Sequence, residues 1–193
     1  MEKEKRFTKI IAIICVVVTA LACLSLVSCK KKNTKNQNAE VNKMIIASEK
    51  VIVTATSDVF VTDGGVKVLG YKQIVEIGEN ETTIREITAE LSTTQELKEK
   101  ETYETVTEFN RESLISFSFE EYMYKTFVYK NGQLTATVAK DRVDNVLGYS
   151  LVASSDGELT ATFENGLIKD LNFTFTMEDG KVLTLVATYQ YKV

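Results

Sequence analysis

The side chains that could carry chemistry in this 193-residue chain are three cysteines and a large set of carboxylates, and neither set has a histidine to work with. That absence removes the His general base, the Ser-His-Asp and Cys-His nucleophile pairs and His-ligated metals from the chain's own repertoire. Cys15, Cys23 and Cys29 all lie near the N-terminus, so the residues after them offer no disulfide framework and no thiolate metal site. Two carboxylates can serve glycoside hydrolysis when a fold holds them at the right separation. Glu120 and Glu121 read as neighbours on a strand, pointing to opposite faces, and Asp141 and Asp144 flank an expected turn. All four read as solvated surface charge. There is no phosphate-binding glycine loop, dinucleotide fingerprint, Gly-x-Ser-x-Gly elbow or calcium loop. The expectation is a non-enzyme with no metal and no dissociable cofactor.

One aromatic cluster could do something other than pack. Phe117, Phe119, Tyr122 and Tyr124, followed by Phe127 and Tyr129, could line a ligand cleft or form the ordinary core of a sheet. Core is the more economical reading, and the first four are kept as cleft candidates.

The elements that must position these residues are strands. Apolar and polar residues alternate with period two through much of the chain, the pattern of strands with one dry face and one wet face. Ile115-Phe117-Phe119, Leu171-Phe173-Phe175-Met177 and Leu183-Leu185-Ala187-Tyr189-Tyr191 are such sets, and Arg85-Ile87-Ala89-Leu91 faces opposite Glu86, Thr88 and Glu90. Asp63-Gly64, Asn131-Gly132, Asp156-Gly157, Asn165-Gly166 and Asp179-Gly180 supply the positive-φ chemistry of tight hairpins. At Asp179-Gly180 the apolar pattern selects a register. A two-residue loop would put the apolar neighbours on opposite faces, whereas a three-residue loop with Gly180 left-handed pairs Phe175 with Leu183 and Phe173 with Leu185. Short connections join neighbours in space, so residues from Ser113 to the C-terminus should form a meander.

The fold class expected is mainly β: one antiparallel β-meander domain, a curved sheet or half-barrel, over residues 43–193. Helix is scarce, with a short one over Ala39–Ser48 and either a helix or a charged hairpin loop over Gln95–Lys100. Two internal echoes, Gly132–Val138 against Gly157–Phe163 and Val68–Tyr71 against Val146–Tyr149, read as a shared hairpin recipe and not as a duplication.

The N-terminus has a different logic. Lys3, Lys5, Arg6 and Lys9 outweigh Glu2 and Glu4, and an apolar run from Ile10 to Val27 follows, as in the charged and greasy regions of a secretory signal. The run is nearly long enough to span a bilayer, so its composition also fits a retained anchor; the residues at its end separate the two. Leu26-Val27-Ser28-Cys29 resembles the lipobox of bacterial lipoproteins, and Cys23 after Ala20-Leu21-Ala22 is a weaker match. The resemblance implies that residues 1–28 are a signal peptide cleaved after Ser28, with Leu26 and Val27 in the recognised motif. It implies that Cys29 takes a thioether-linked diacylglyceryl group, with or without an N-acyl chain such as palmitate. The implied address is the extracytoplasmic face of a bacterial cell membrane. Each buried methylene contributes about 0.8 kcal/mol, so two or three chains anchor durably. Lys30, Lys31 and Lys32 would then lie at headgroup level, adding about 1 kcal/mol each beside an anionic leaflet or simply starting a solvated tether.

Residues 29–42 continue as a polar stretch with one large aliphatic residue, Val41, and read as a flexible tether. From Lys43 onward the body carries 15 basic against 24 acidic side chains, a net charge of −9. That charge opposes nucleic-acid binding, which depends on cations displacing phosphate counterions. Two functions fit: a non-catalytic module binding a protein or envelope component, and a carrier or sensor of hydrophobic ligands in a half-barrel cleft. In broad architecture alone the second is similar to cell-envelope lipoproteins of the lipid-carrier type.

Overall fold

The alternation is realised as nine antiparallel strands in one open sheet: β1 (Ile52–Asp63), β2 (Val66–Ile77), β3 (Thr82–Leu91), β4 (Leu97–Val106), β5 (Tyr124–Lys130), β6 (Gln133–Val138), β7 (Gly157–Glu164), β8 (Leu167–Thr176) and β9 (Val182–Tyr191). The computed structural model describes residues 34–92, 96–115, 117, 119–147 and 151–192. The strand order is β4-β3-β2-β1-β9-β8-β7-β6-β5. Two meanders, β1 to β4 and β5 to β9, are therefore joined down the middle by β1 pairing with β9. The sheet does not close: β4 and β5 are its two edges.

Hairpin chemistry sets much of this register. Asn131-Gly132 and Asn165-Gly166 each place both residues at positive φ, the two-residue turn whose twist matches its strands. At the last hairpin Phe173 pairs with Leu185 and Phe175 with Leu183, with Gly180 at φ +81, as the three-residue loop requires. Asp156-Gly157 is not a hairpin turn. Gly157 opens β7 after a connection that holds a short helix, α2 (Val143–Leu147). It is glycine because an added Cβ would lie 2.4 Å from the Phe173 ring.

One face of the sheet, here the inner face, carries the core. Leu134, Leu159, Ile168, Leu171 and Phe173 lie on it with at most 1% of their surface exposed. Three pieces cover it: α1 (Thr34–Val51), the segment around Ile115, Phe117 and Phe119, and Val143, Val146 and Leu147 of α2. The outer face of the C-terminal half is rich in threonine, as suits a pleated wet surface.

Helix α1 begins inside the stretch expected to be tether and is longer than the Ala39–Ser48 helix anticipated. Asn38, Val41, Ile45 and Ser48 recur at helical spacing and are all buried, so the face that docks is part polar and escapes a count of aliphatic residues. Gln37 and Ser48 then bond to the sheet. Gln37 Oε1 accepts from the Tyr129 backbone N–H on edge strand β5, 3.1 Å away. The Ser48 hydroxyl donates to Met44 O at 2.7 Å and accepts from the Ile168 N–H at 2.9 Å, where a bulge interrupts the β7–β8 ladder. The helix ends where Arg111 donates to the carbonyls of Lys50 and Ile52, satisfying acceptors that a helix C-terminus leaves open.

Three further expectations are corrected. Strand β4 takes the last four residues, Leu97–Lys100, of the proposed Gln95–Lys100 helix or loop, because its neighbour β3 supplies a full ladder; Gln95 lies outside the described residues. Glu120 and Glu121 lie at the start of a 3-10 turn, not on a strand. The first echo is alike in its strands, Gln133–Val138 in β6 and Glu158–Phe163 in β7, but not in its turn, since Gly132 is a turn glycine and Gly157 a packing glycine; in the second, Val68–Tyr71 lies in β2 whereas Val146 and Leu147 lie in α2.

Candidate functional site

Leu26, Val27, Ser28 and Cys29 lie outside the described residues. Of the four cleft candidates, Phe117 and Phe119 are buried, 7% and 3% exposed, with their ring centroids 5.6 Å apart. Phe117 meets the Phe173 ring edge-on at 5.2 Å, and Phe173 leans on Phe175 at 5.7 Å. Tyr124 packs edge-on against Phe127 at 5.2 Å, and burial together with the nearby Glu120 charge pushes its hydroxyl pKa far above the usual phenol range. Tyr122 stands apart, 42% exposed. The structure thus brings two of the four together in the core and leaves the other two at its margin. Offset and edge-on ring pairs of this kind contribute about 0.5–1.5 kcal/mol each beyond area burial.

Sequence reasoning missed a polar seam at the other end of the core. On β2 and β3, Tyr71 is 2% and Gln73 6% exposed, and both face inward opposite Thr88 and Glu86. The Tyr71 hydroxyl donates to Glu86 Oε1 at 2.6 Å; Gln73 Nε2 donates to Glu86 Oε1 at 3.1 Å and to Tyr71 Oη at 3.3 Å. Buried polar groups persist where they are bonded to one another, and here the seam joins β2 to β3 and ends the apolar core before the wet edge strand β4. The signal was the pairing of Gln73 with Glu86 on the side of the core; the period-two pattern of β3 separates its two faces but does not say which one meets the core.

Beneath α1 lies a second cluster. Burial, with a contribution from the charge of Glu112, pushes the Glu49 carboxyl up to about 7. Tyr189, buried on β9, has its hydroxyl pKa raised by burial, and the Tyr191 hydroxyl donates to Ile168 O. On the surface Asp156 takes both Lys125 Nζ, at 2.7 Å, and the Lys140 backbone N–H, at 3.0 Å, which hold its carboxyl below the usual range. Asp141 and Asp144 sit in the 3-10 and α2 turns nearby. Among the described residues no group of three or more His, Cys, Asp or Glu is placed to hold a metal, and no helix is long and apolar enough to cross a membrane.

The geometry defines a mainly β protein with one covered face. No family model matches the chain, and no curated protein matches it. Among solved structures it is similar to a DUF1329 family protein from Desulfovibrio piger ATCC 29098, with 7% identity over 84% of this chain and 95% of that one and a TM-score of 0.28.

Proposed function

We propose that the chain is a lipid-anchored lipoprotein on the extracytoplasmic face of a bacterial cell membrane, whose sheet domain binds a protein or envelope component and performs no catalysis. The observation that carries this reading is the basic and apolar leader closing on Leu26-Val27-Ser28-Cys29, with four residues between Cys29 and the start of α1 at Thr34. A chain advances at most about 3.5 Å per residue. An acylated Cys29 would therefore hold the folded body within about 15–20 Å of the headgroups. The body is a short-leashed domain and not one on a long tether. Its first element, α1, exposes Lys43 and Lys50. The acidic remainder of the body is repelled from an anionic leaflet and stays presented to solvent. The lack of histidine throughout the chain supports binding over acid–base or nucleophilic chemistry.

The test is fractionation of cells making the wild type or Cys29→Ser. The wild type should sediment with membranes and extract only with detergent, and the variant should accumulate as unprocessed precursor or lose its acyl mass. Equal membrane association and equal mass for the two would end the proposal.

A further inference from the structure

Edge strands are liabilities, and β4 is an unusual one. It is ten residues long, and its side chains from Leu97 to Thr105 are exposed on both faces. Among the described residues β3 is its sole strand neighbour, and the β3–β4 ladder runs without a register shift. A regular, proline-free edge leaves a row of backbone N–H and C=O groups able to template another strand. Natural edges are commonly blunted by charged side chains, which repel a second strand unless the charges it brings are complementary. Those of β4 are mixed, and they are placed so that opposite signs can meet.

Facing residues in an antiparallel pair share a face of the sheet. If two copies of β4 meet about a two-fold axis, the face is kept only when a residue faces itself at the centre. Centring on Lys100, Glu101 or Glu104 sets that charge against its own copy. Centring on Tyr103 avoids like charges but joins no opposite ones. Centring on Thr102 puts Lys100 opposite Glu104 of the second copy, twice by symmetry, and Lys98 opposite Val106. On the other face Glu101 meets Tyr103 and Glu99 meets Thr105. Tyr103, 66% exposed, already donates to Glu101 of its own strand at 2.7 Å, so the geometry across the axis repeats a contact this strand makes within itself. Lys100 and Glu104 lie opposite the uncharged Thr88 and Ile84 of β3, so among the described residues neither has a direct cross-strand ion partner.

We propose that two copies of this chain associate through β4, antiparallel and centred on Thr102, so that their sheets run on as one. The junction is isologous and closes after two copies, as a two-fold contact must. A single strand-to-strand seam is small beside a standard protein interface, so the association is weak and depends on salt and concentration. It stands independently of the anchor at Cys29.

The test is cross-linking of the full chain in intact cells or membranes with a short thiol-reactive bis-maleimide. Thr102→Cys should give a cross-linked dimer, whereas wild type and Thr135→Cys, on the exposed outer face of β6, should give only background. Adding Lys100→Glu or Glu104→Lys to Thr102→Cys turns two attractions into two repulsions. Each should lower the yield about fourfold or more, since both cross-strand charge pairs reverse sign. Adding both together should restore it. Circular dichroism of each variant shows whether the sheet is intact. Background cross-linking by a Thr102→Cys thiol that a monofunctional maleimide labels overturns the proposal. So does a yield that the charge exchanges leave unchanged.

Discussion

Gly157→Ala is the perturbation that most sharply asks whether the inner face is packed protein or a loosely filled cleft. The new Cβ would stand 2.4 Å from Cε2 and from Cζ of Phe173 and 3.5 Å from Val138 Cβ, so the ring must move by about 1 Å to restore van der Waals contact. Phe173 has no exposed surface and is held by Phe117 on one side and Phe175 on another. Overpacking of a held ring costs about 1–3 kcal/mol, and the upper end applies here. Alanine returns about 0.5–1 kcal/mol by restricting the unfolded chain, because Gly157 does not need positive φ. The net loss should be about 2 kcal/mol, or a fall in Tm of roughly 4–8 °C for a domain of this size. Phe173→Leu alone should cost about 1–2 kcal/mol. The double variant should lose little more than Phe173→Leu alone, a coupling of about 2 kcal/mol measured by urea unfolding. Gly166→Ala is the control: it strains a φ of +77 with nothing within 4 Å, so it should not couple to Phe173→Leu. Additivity of Gly157→Ala and Phe173→Leu within about 0.5 kcal/mol would refute the reasoning. It would mean the ring has room to retreat and the face is a cleft.

Three other outcomes follow from the same geometry. Glu49 titrates near 7 in the folded protein against 4.5 for the unperturbed group, so the folded state binds the extra proton between those values and stability falls as pH rises through that window. Discounted for partial exposure, the loss should be about 1–2 kcal/mol, and urea midpoints measured at both ends of the window should show it in the wild type and not in Glu49→Gln. Ser48→Ala strands the buried Ile168 N–H and should cost about 1–3 kcal/mol in the same assay, with faster amide exchange at Ile168 as its local signature. Organic extracts of the natively purified protein should hold no free lipid at one-to-one stoichiometry; lipid at that ratio would make Phe117 and Phe119 the lining of a ligand site.

The sheet was legible in the sequence wherever one face is dry. The Phe173–Leu185 and Phe175–Leu183 pairs could be read because every large apolar residue had to land on one side. Where both faces are wet the signal fades, and β4, LKEKETYETV, has no apolar period to read; only its ladder with β3 makes it a strand. Helix α1 was half hidden for a related reason: Gln37 and Ser48 dock by hydrogen bonds and Asn38 is buried on the same face, none of which a hydropathy pattern registers. Gly157 shows the limit of turn chemistry, since a glycine beside an aspartate serves a tight turn in one place and a ring's close approach in another. The Tyr71–Gln73–Glu86 seam needed cross-strand pairing, which links residues 13 and 15 positions apart.

The measurement that bears most directly on the proposed anchor is the intact mass and N-terminal residue of the chain isolated from its native membrane fraction. The account requires a polypeptide that starts at Cys29 and carries the mass of a diacylglyceryl group, with or without a further acyl chain. A chain that starts elsewhere, or a Cys29 whose thiol reacts freely with maleimide, would contradict it.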